Sequence, residues 1–273
     1  MFPVKRADIG LQHSHARRVH RLQREWHAMA FDPINPALAP FAEGSNGAPP
    51  RHLGTRYDDS GRFLPEPGNT VVCHLVPGSA TESALVEIRR RMQAMPQADR
   101  LAFTPVSSLH MTLFQGIIEY RRALPYWPAG MALDTPIQTM TDHYRARLEG
   151  FRGGRPFRVR TIDIVPTGLV VAGATPEDAG ILAAWRDNLA ERFGYRHPDH
   201  ETYEFHITLA YMRKWLPQAC LPAWNVLFSD AMALLARDAP ILELRAPAFC
   251  AFEDMNHFEE LLVFKPGDID SAA

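Results

Sequence analysis

Three cysteines in 273 residues, Cys73, Cys220 and Cys250, are too few and too scattered for a disulfide framework or a metal-binding spacing. They read as free thiols in a reducing compartment. An excess of one charge sign is also missing. A formal net charge of −2 argues against a strongly basic surface that coats nucleic acid, though not against one small anion site. No run of 18 apolar residues occurs and the N-terminus shows no signal-type apolar core, so a cytoplasmic protein without membrane contact is expected. No glycine-rich phosphate loop follows a predicted strand, which argues against a Rossmann repeat. What is present, 46% hydrophobic and 22% charged residues, is the ordinary composition of a globular chain long enough for a substantial core.

Against this plain background two short stretches echo each other. Leu109-His110-Met111-Thr112-Leu113-Phe114 and Phe205-His206-Ile207-Thr208-Leu209-Ala210 each set a histidine and a threonine two residues apart in an apolar run. In a strand, side chains two apart share a face, so each stretch offers an imidazole and a hydroxyl on one side and core residues on the other. By the same alternation Phe114 falls on the face of His110 and Thr112, where it is able to stack on a base. Tyr211 falls on the core side. A third tripeptide, His200-Glu201-Thr202, lacks the apolar setting, and the surrounding His197-Pro198-Asp199-His200 reads as a solvated loop.

The order of elements repeats around the two motifs. Residues 1–54 read as an N-terminal extension, with a polar helix over Ser14–Met29 followed by a proline-rich linker. Residues 55–273 read as one bilobed domain. Its first half is a strand at 70–76, a helix from Ser79 or Thr81 to about Met95, and the first His-x-Thr strand. An insert follows at 116–156, with a helix expected over 135–148. In it Arg121 and Arg122, beside Tyr126 and Trp127, are placed to overhang the cleft and bind substrate. The second half has strands at 157–165 and 168–174, a helix from Pro176 to Phe193, and the second His-x-Thr strand over 204–212. A helix at 221–235 and strands at 241–249 and 261–264 finish the chain. The expected fold is α+β: two pseudo-symmetric lobes, antiparallel sheets flanking a central cleft, and helices outside.

Histidine titrates near neutrality, so one imidazole can take a proton while the other gives one. Threonine hydroxyls on the same faces can donate to the non-bridging oxygens of a phosphate. The arrangement needs neither metal nor cofactor.

The paired motifs resemble those of the 2H phosphoesterase superfamily, which includes RNA ligase-like and cyclic phosphodiesterase enzymes. His110 and Thr112 match the first motif, and His206 and Thr208 the second. Pro67-Gly68-Asn69-Thr70-Val71-Val72-Cys73-His74-Leu75 further resembles a little-characterised bacterial and fungal branch, and the likeness covers roughly residues 55 to 266. The resemblance implies metal-independent hydrolysis of a cyclic or RNA-end phosphodiester, of the 2′,3′-cyclic phosphate type, in RNA processing. One histidine would activate water and the other protonate the leaving oxygen; which does which stays open. A nucleotide or RNA end is the expected partner, with no extended nucleic-acid surface, and the chain is expected as a monomer. Two alternatives stand. One is a non-catalytic nucleotide or RNA-end binder. The other is a zinc hydrolase using His110 and His206 with His74, His197 or His200 as third ligand.

Overall fold

The computed structural model describes residues 34–45 and 47–265; the helix expected over Ser14–Met29 lies outside them. The described residues from Ala37 onward form one compact unit. The proline-rich stretch enters it, since Leu38 is fully buried and the backbone of Ala42 bridges to Leu216.

Nine strands form two antiparallel sheets among the described residues. They are β1 (Gly68–His74), β2 (Leu101–Phe103), β3 (His110–Ile118), β4 (Val159–Val165), β5 (Gly168–Gly173), β6 (Phe205–Thr208), β7 (Ala210–Met212), β8 (Ala248–Phe252) and β9 (Glu259–Val263). The large sheet runs β4-β5-β6-β3-β1-β8-β9, and β2 pairs only with β7. The fold is α+β, with the two halves joined into one sheet where Met111 of β3 pairs with Ile207 of β6. The seam therefore sets the two His-x-Thr strands side by side.

Four α-helices of the described residues cover the apolar face: α1 (Ala80–Gln93), α2 (Ile137–Leu148), α3 (Pro176–Phe193) and α4 (Leu221–Asp238). Local chemistry fixes the starts of α1 and α3. Ser79 caps α1 by accepting from the Glu82 N–H at 3.1 Å. Thr175 and Asp178 cap α3 reciprocally, with Pro176 in the first turn and Gly194 at φ +76° closing it. Each such N-cap is worth about 1 kcal/mol. The stripes Leu85, Ile88 and Met92 of α1, and Leu182, Trp185, Leu189 and Phe193 of α3, share one core with Met111, Leu113, Ile207 and Leu209. Gln218–Asp238 is apolar and long enough to cross a membrane by composition, but α4 buries Trp224, Phe228, Ala231 and Leu235 against α1 and β4, as a core helix does.

Three expected elements differ. The 204–212 strand is two strands, because at Leu209 the backbone N–H leaves the ladder and donates to Thr167 O at 2.9 Å, after which β7 turns to β2. The strand expected at 241–249 shrinks to isolated bridges at Leu242 and Leu244, with β8 starting only after Pro247, which has no N–H to give a ladder. And β3 carries a bulge: Val71 opposes Phe114 while Val72 opposes Thr112, so Leu113 is the extra residue.

Candidate active site

His110, Thr112, His206 and Thr208 all line one cavity of about 330 Å³ on the sheet face away from the helices. Continuing the Met111–Ile207 register sets His110 against Thr208 and Thr112 against His206. The two histidines then occupy diagonal corners of a four-residue patch, roughly 8 Å apart at the backbone from ordinary strand spacings.

Their surroundings differ. His110 Nδ1 donates to Ser108 O at 2.6 Å, which leaves the lone pair on Nε2. Its ring lies against Phe258, with centroids 4.2 Å apart, and 5.9 Å from that of His74. Burial, with a smaller push from His74, lowers its pKa to about 4 against the opposing Ser108 hydrogen bond. The His206 side chain is 44% exposed, and its Nε2 stands 4.0 Å from Glu204 Oε2. Burial lowers its pKa as well, opposed by the Glu204 carboxylate and by a hydrogen bond to the Glu204 backbone. Each imidazole is thus held by the backbone of the residue two positions before it.

The bulge decides the rest of the β3 wall. Phe114 is turned into the core, fully buried against Phe193, Tyr195 and His197, and does not line the cavity. The expectation that it stacks on a base is corrected: the extra residue reverses the alternation, and Gln115 takes the cavity face instead. The bulge is supported from below by the buried Arg186, whose Nη1 donates to Leu113 O at 2.8 Å and whose guanidinium lies 3.9 Å from the ring centre of Tyr203.

Arg121 and Arg122 part company. Arg121 stands behind the cavity wall, with Nη1 on Gln115 Oε1 at 2.6 Å and Nη2 on Gly116 O at 3.2 Å. Arg122 points elsewhere, forked on Glu119 at 2.7 and 2.9 Å and bonded to the carbonyls of Leu133 and Thr135, so it does not overhang the cleft. Tyr211 lines the cavity, contrary to its expected place in the core, because the break at Leu209 frees β7 from the parity of β6.

The histidines offered as a third zinc ligand are committed to other partners. His74 Nδ1 meets Glu260 Oε1 at 3.0 Å, His197 Nε2 meets Gln115 O at 2.8 Å, and His200 Nε2 meets Asp187 Oδ1 at 3.0 Å. His197 and His200 are buried near Phe114, on the other side of β3 from the cavity, rather than in a solvated loop. Among the described residues, Asp187, His200 and Glu201 are close enough to share a cation, but the Arg196 guanidinium already bridges both carboxylates, at 2.8 and 2.7 Å.

The sequence reading missed His52, Arg56, Gln115 and Tyr203, which also line the cavity. Arg56 pairs with Glu66 at 2.6 and 3.2 Å and reaches the Tyr211 hydroxyl at 3.4 Å. His52 and Arg56 come from turn-rich chain with no local signature. Gln115 was findable only by anticipating the bulge.

Residues 56–170 match a family model named 2H-phosphodiest, described as a domain of unknown function (DUF1868). No curated protein matches the chain. The crystal structure of a conserved protein of unknown function from Agrobacterium tumefaciens is similar at 55% identity and a TM-score of 0.83, over 85% of this chain and 100% of that one.

Proposed function

The chain belongs to the 2H phosphodiesterase family, a grouping that supports a phosphodiesterase-type function, and on that footing we propose that it hydrolyses a 2′,3′-cyclic phosphate or a related RNA-end phosphodiester. The observation that carries this reading is the convergence of both His-x-Thr pairs on one cavity. In the proposed reaction a water oxygen bonds to phosphorus, its proton passes to one imidazole, and the bond to a ribose oxygen breaks as the other imidazole protonates that oxygen. Thr112 and Thr208 donate to the non-bridging oxygens, where negative charge sits.

Electrostatics favour an assignment of roles. Burial keeps His110 neutral, and its Nδ1–H is spent on Ser108, so Nε2 is the acceptor and His110 is the base. His206 is more open and faces the Glu204 carboxylate, which favours its charged form, so it is the acid. A bound phosphate adds negative charge between them and raises both pKa values. None of these steps draws on a Lewis acid, and we extend the proposal to a cytoplasmic, monomeric enzyme of RNA processing.

The test is an assay of the purified chain on 2′,3′-cyclic nucleotides and on RNA bearing cyclic-phosphate ends, with and without EDTA. Hydrolysis that persists in EDTA and disappears in the His110→Ala, His206→Ala double variant is expected. Full activity in that correctly folded double variant would end the proposal, and activity lost to EDTA and restored by zinc would favour a metal hydrolase.

A further inference from the structure

The cavity is longer than one phosphate requires. Along β3 it continues past Thr112 to Gln115 and Gly116, roughly 10 Å further at the ordinary rise of a strand. At that end positive charge gathers. Arg121 lies directly behind Gln115 and Gly116, held by an amide oxygen, a carbonyl and the Tyr126 ring at 4.7 Å, with no carboxylate among its described partners. His52 and Arg56 line the same cavity, both grouped on Tyr211, at 6.2 and 5.3 Å from its ring centre. Glu66 neutralises Arg56 alone. His52 and Arg121 each feel the fields of Arg56 and of the exposed Arg51, and His52 feels Arg121 too.

A half-buried guanidinium without a counter-ion, beside two others, is costly to hold. An anion entering that end of the cavity would offset the cost. We propose that it is a second anion subsite, and that the preferred substrate is a phosphodiester whose nucleoside half carries a further phosphate, such as a 5′-phosphorylated nucleoside 2′,3′-cyclic phosphate. The substrate part rests on the hydrolase reading above; the binding part does not. Burial and the three guanidiniums hold His52 far below its ordinary pKa, at about 3, so it is neutral by itself and can gain a proton when an anion arrives.

Binding of stable ligands to the native chain tests the subsite without hydrolysis. By calorimetry at low salt, a nucleoside 3′,5′-bisphosphate should bind at least about 10-fold more tightly than the matching 3′-monophosphate. Arg121→Met should bring that ratio down to about 3 or less, and the exposed Arg51→Gln should lower it about 2- to 3-fold. Raising the salt should shrink it in the native chain too, which keeps the test decisive if Arg121→Met does not fold. Equal binding of the two ligands, or a ratio indifferent to both substitutions, overturns the subsite. Tighter bisphosphate binding by a chain that hydrolyses no cyclic phosphate leaves the subsite standing and removes the hydrolase reading. Hydrolysis with no gain from a second phosphate does the reverse.

Discussion

β3 and β6 carry the same three-residue pattern and hold their imidazoles in the same way, each by the backbone two residues upstream, yet they differ in what lies over them. Phe258 and the nearby His74 cover His110 and burial lowers its pKa to about 4; burial lowers the His206 pKa too, but His206 is nearly half exposed and keeps a carboxylate at 4.0 Å that opposes the shift. A repeated motif therefore does not make a symmetric site. What differentiates the two halves is the loop chemistry after β8 and before β6.

The largest expected effect breaks the comparison altogether. Replacing either His110 or His206 by alanine should cost on the order of 10²–10⁴-fold in kcat on a cyclic phosphodiester. Steady-state kinetics should show the double variant losing less than the product of the singles, because the pair acts as a unit. Next come Thr112→Val and Thr208→Val, each expected to cost about 10-fold or more by removing a hydrogen bond to a charged oxygen worth roughly 1.5–3 kcal/mol. Losses confined to one threonine would show that only one lobe supports the phosphate.

The pH profile sharpens the comparison. In the proposed reaction only the population with one charged and one neutral imidazole is competent. His110 titrates near 4 and His206 below its ordinary 6.5, so kcat/KM should peak on the acid side of 6.5. Bound substrate raises both pKa values, so the kcat optimum should lie at higher pH than that of kcat/KM. Glu204→Gln removes a charge that holds the His206 pKa up and should move the alkaline limb of kcat/KM to lower pH. A limb that stays put would take Glu204 out of the account. The smallest effect is expected from Phe258→Leu. Loss of the ring contact, worth about 0.5–1.5 kcal/mol, should lower kcat/KM roughly 2- to 10-fold and raise the acid limb as His110 gains access to water.

Much of this was legible in the sequence because it is periodic. Alternation located β1, β3 and the β4–β5 pair, and the caps Ser79 and Thr175 located α1 and α3 to within a few residues. The four His and Thr positions needed nothing beyond a period of two. Phe114 and Tyr211 were misplaced because the same rule was carried across a bulge and a strand break, and neither irregularity has a local signature here. His52 and Arg56 in the cavity, and Arg121 behind its wall, come together only through tertiary folding, so no spacing along the chain could group them.

The extra residue in β3 also acts as a parity switch. Upstream of Leu113 the even-numbered positions His110 and Thr112 face the cavity; just downstream the odd-numbered Gln115 does, while Phe114 is sealed inside. A single-residue deletion at Leu113 would remove this bulge and leave Phe114 on the core face and Gln115 on the cavity face, because Phe114 would then follow Thr112 directly. It would also remove the carbonyl on which Arg186 rests. In the vocabulary of insertions and deletions, the frame of faces survives the loss of the extra residue itself, whereas deleting Thr112 instead would put Leu113 on the cavity face. A deletion scan along β3 should therefore find the cavity lining least disturbed at Leu113, with the loss there read as lower stability from the missing Arg186 contact.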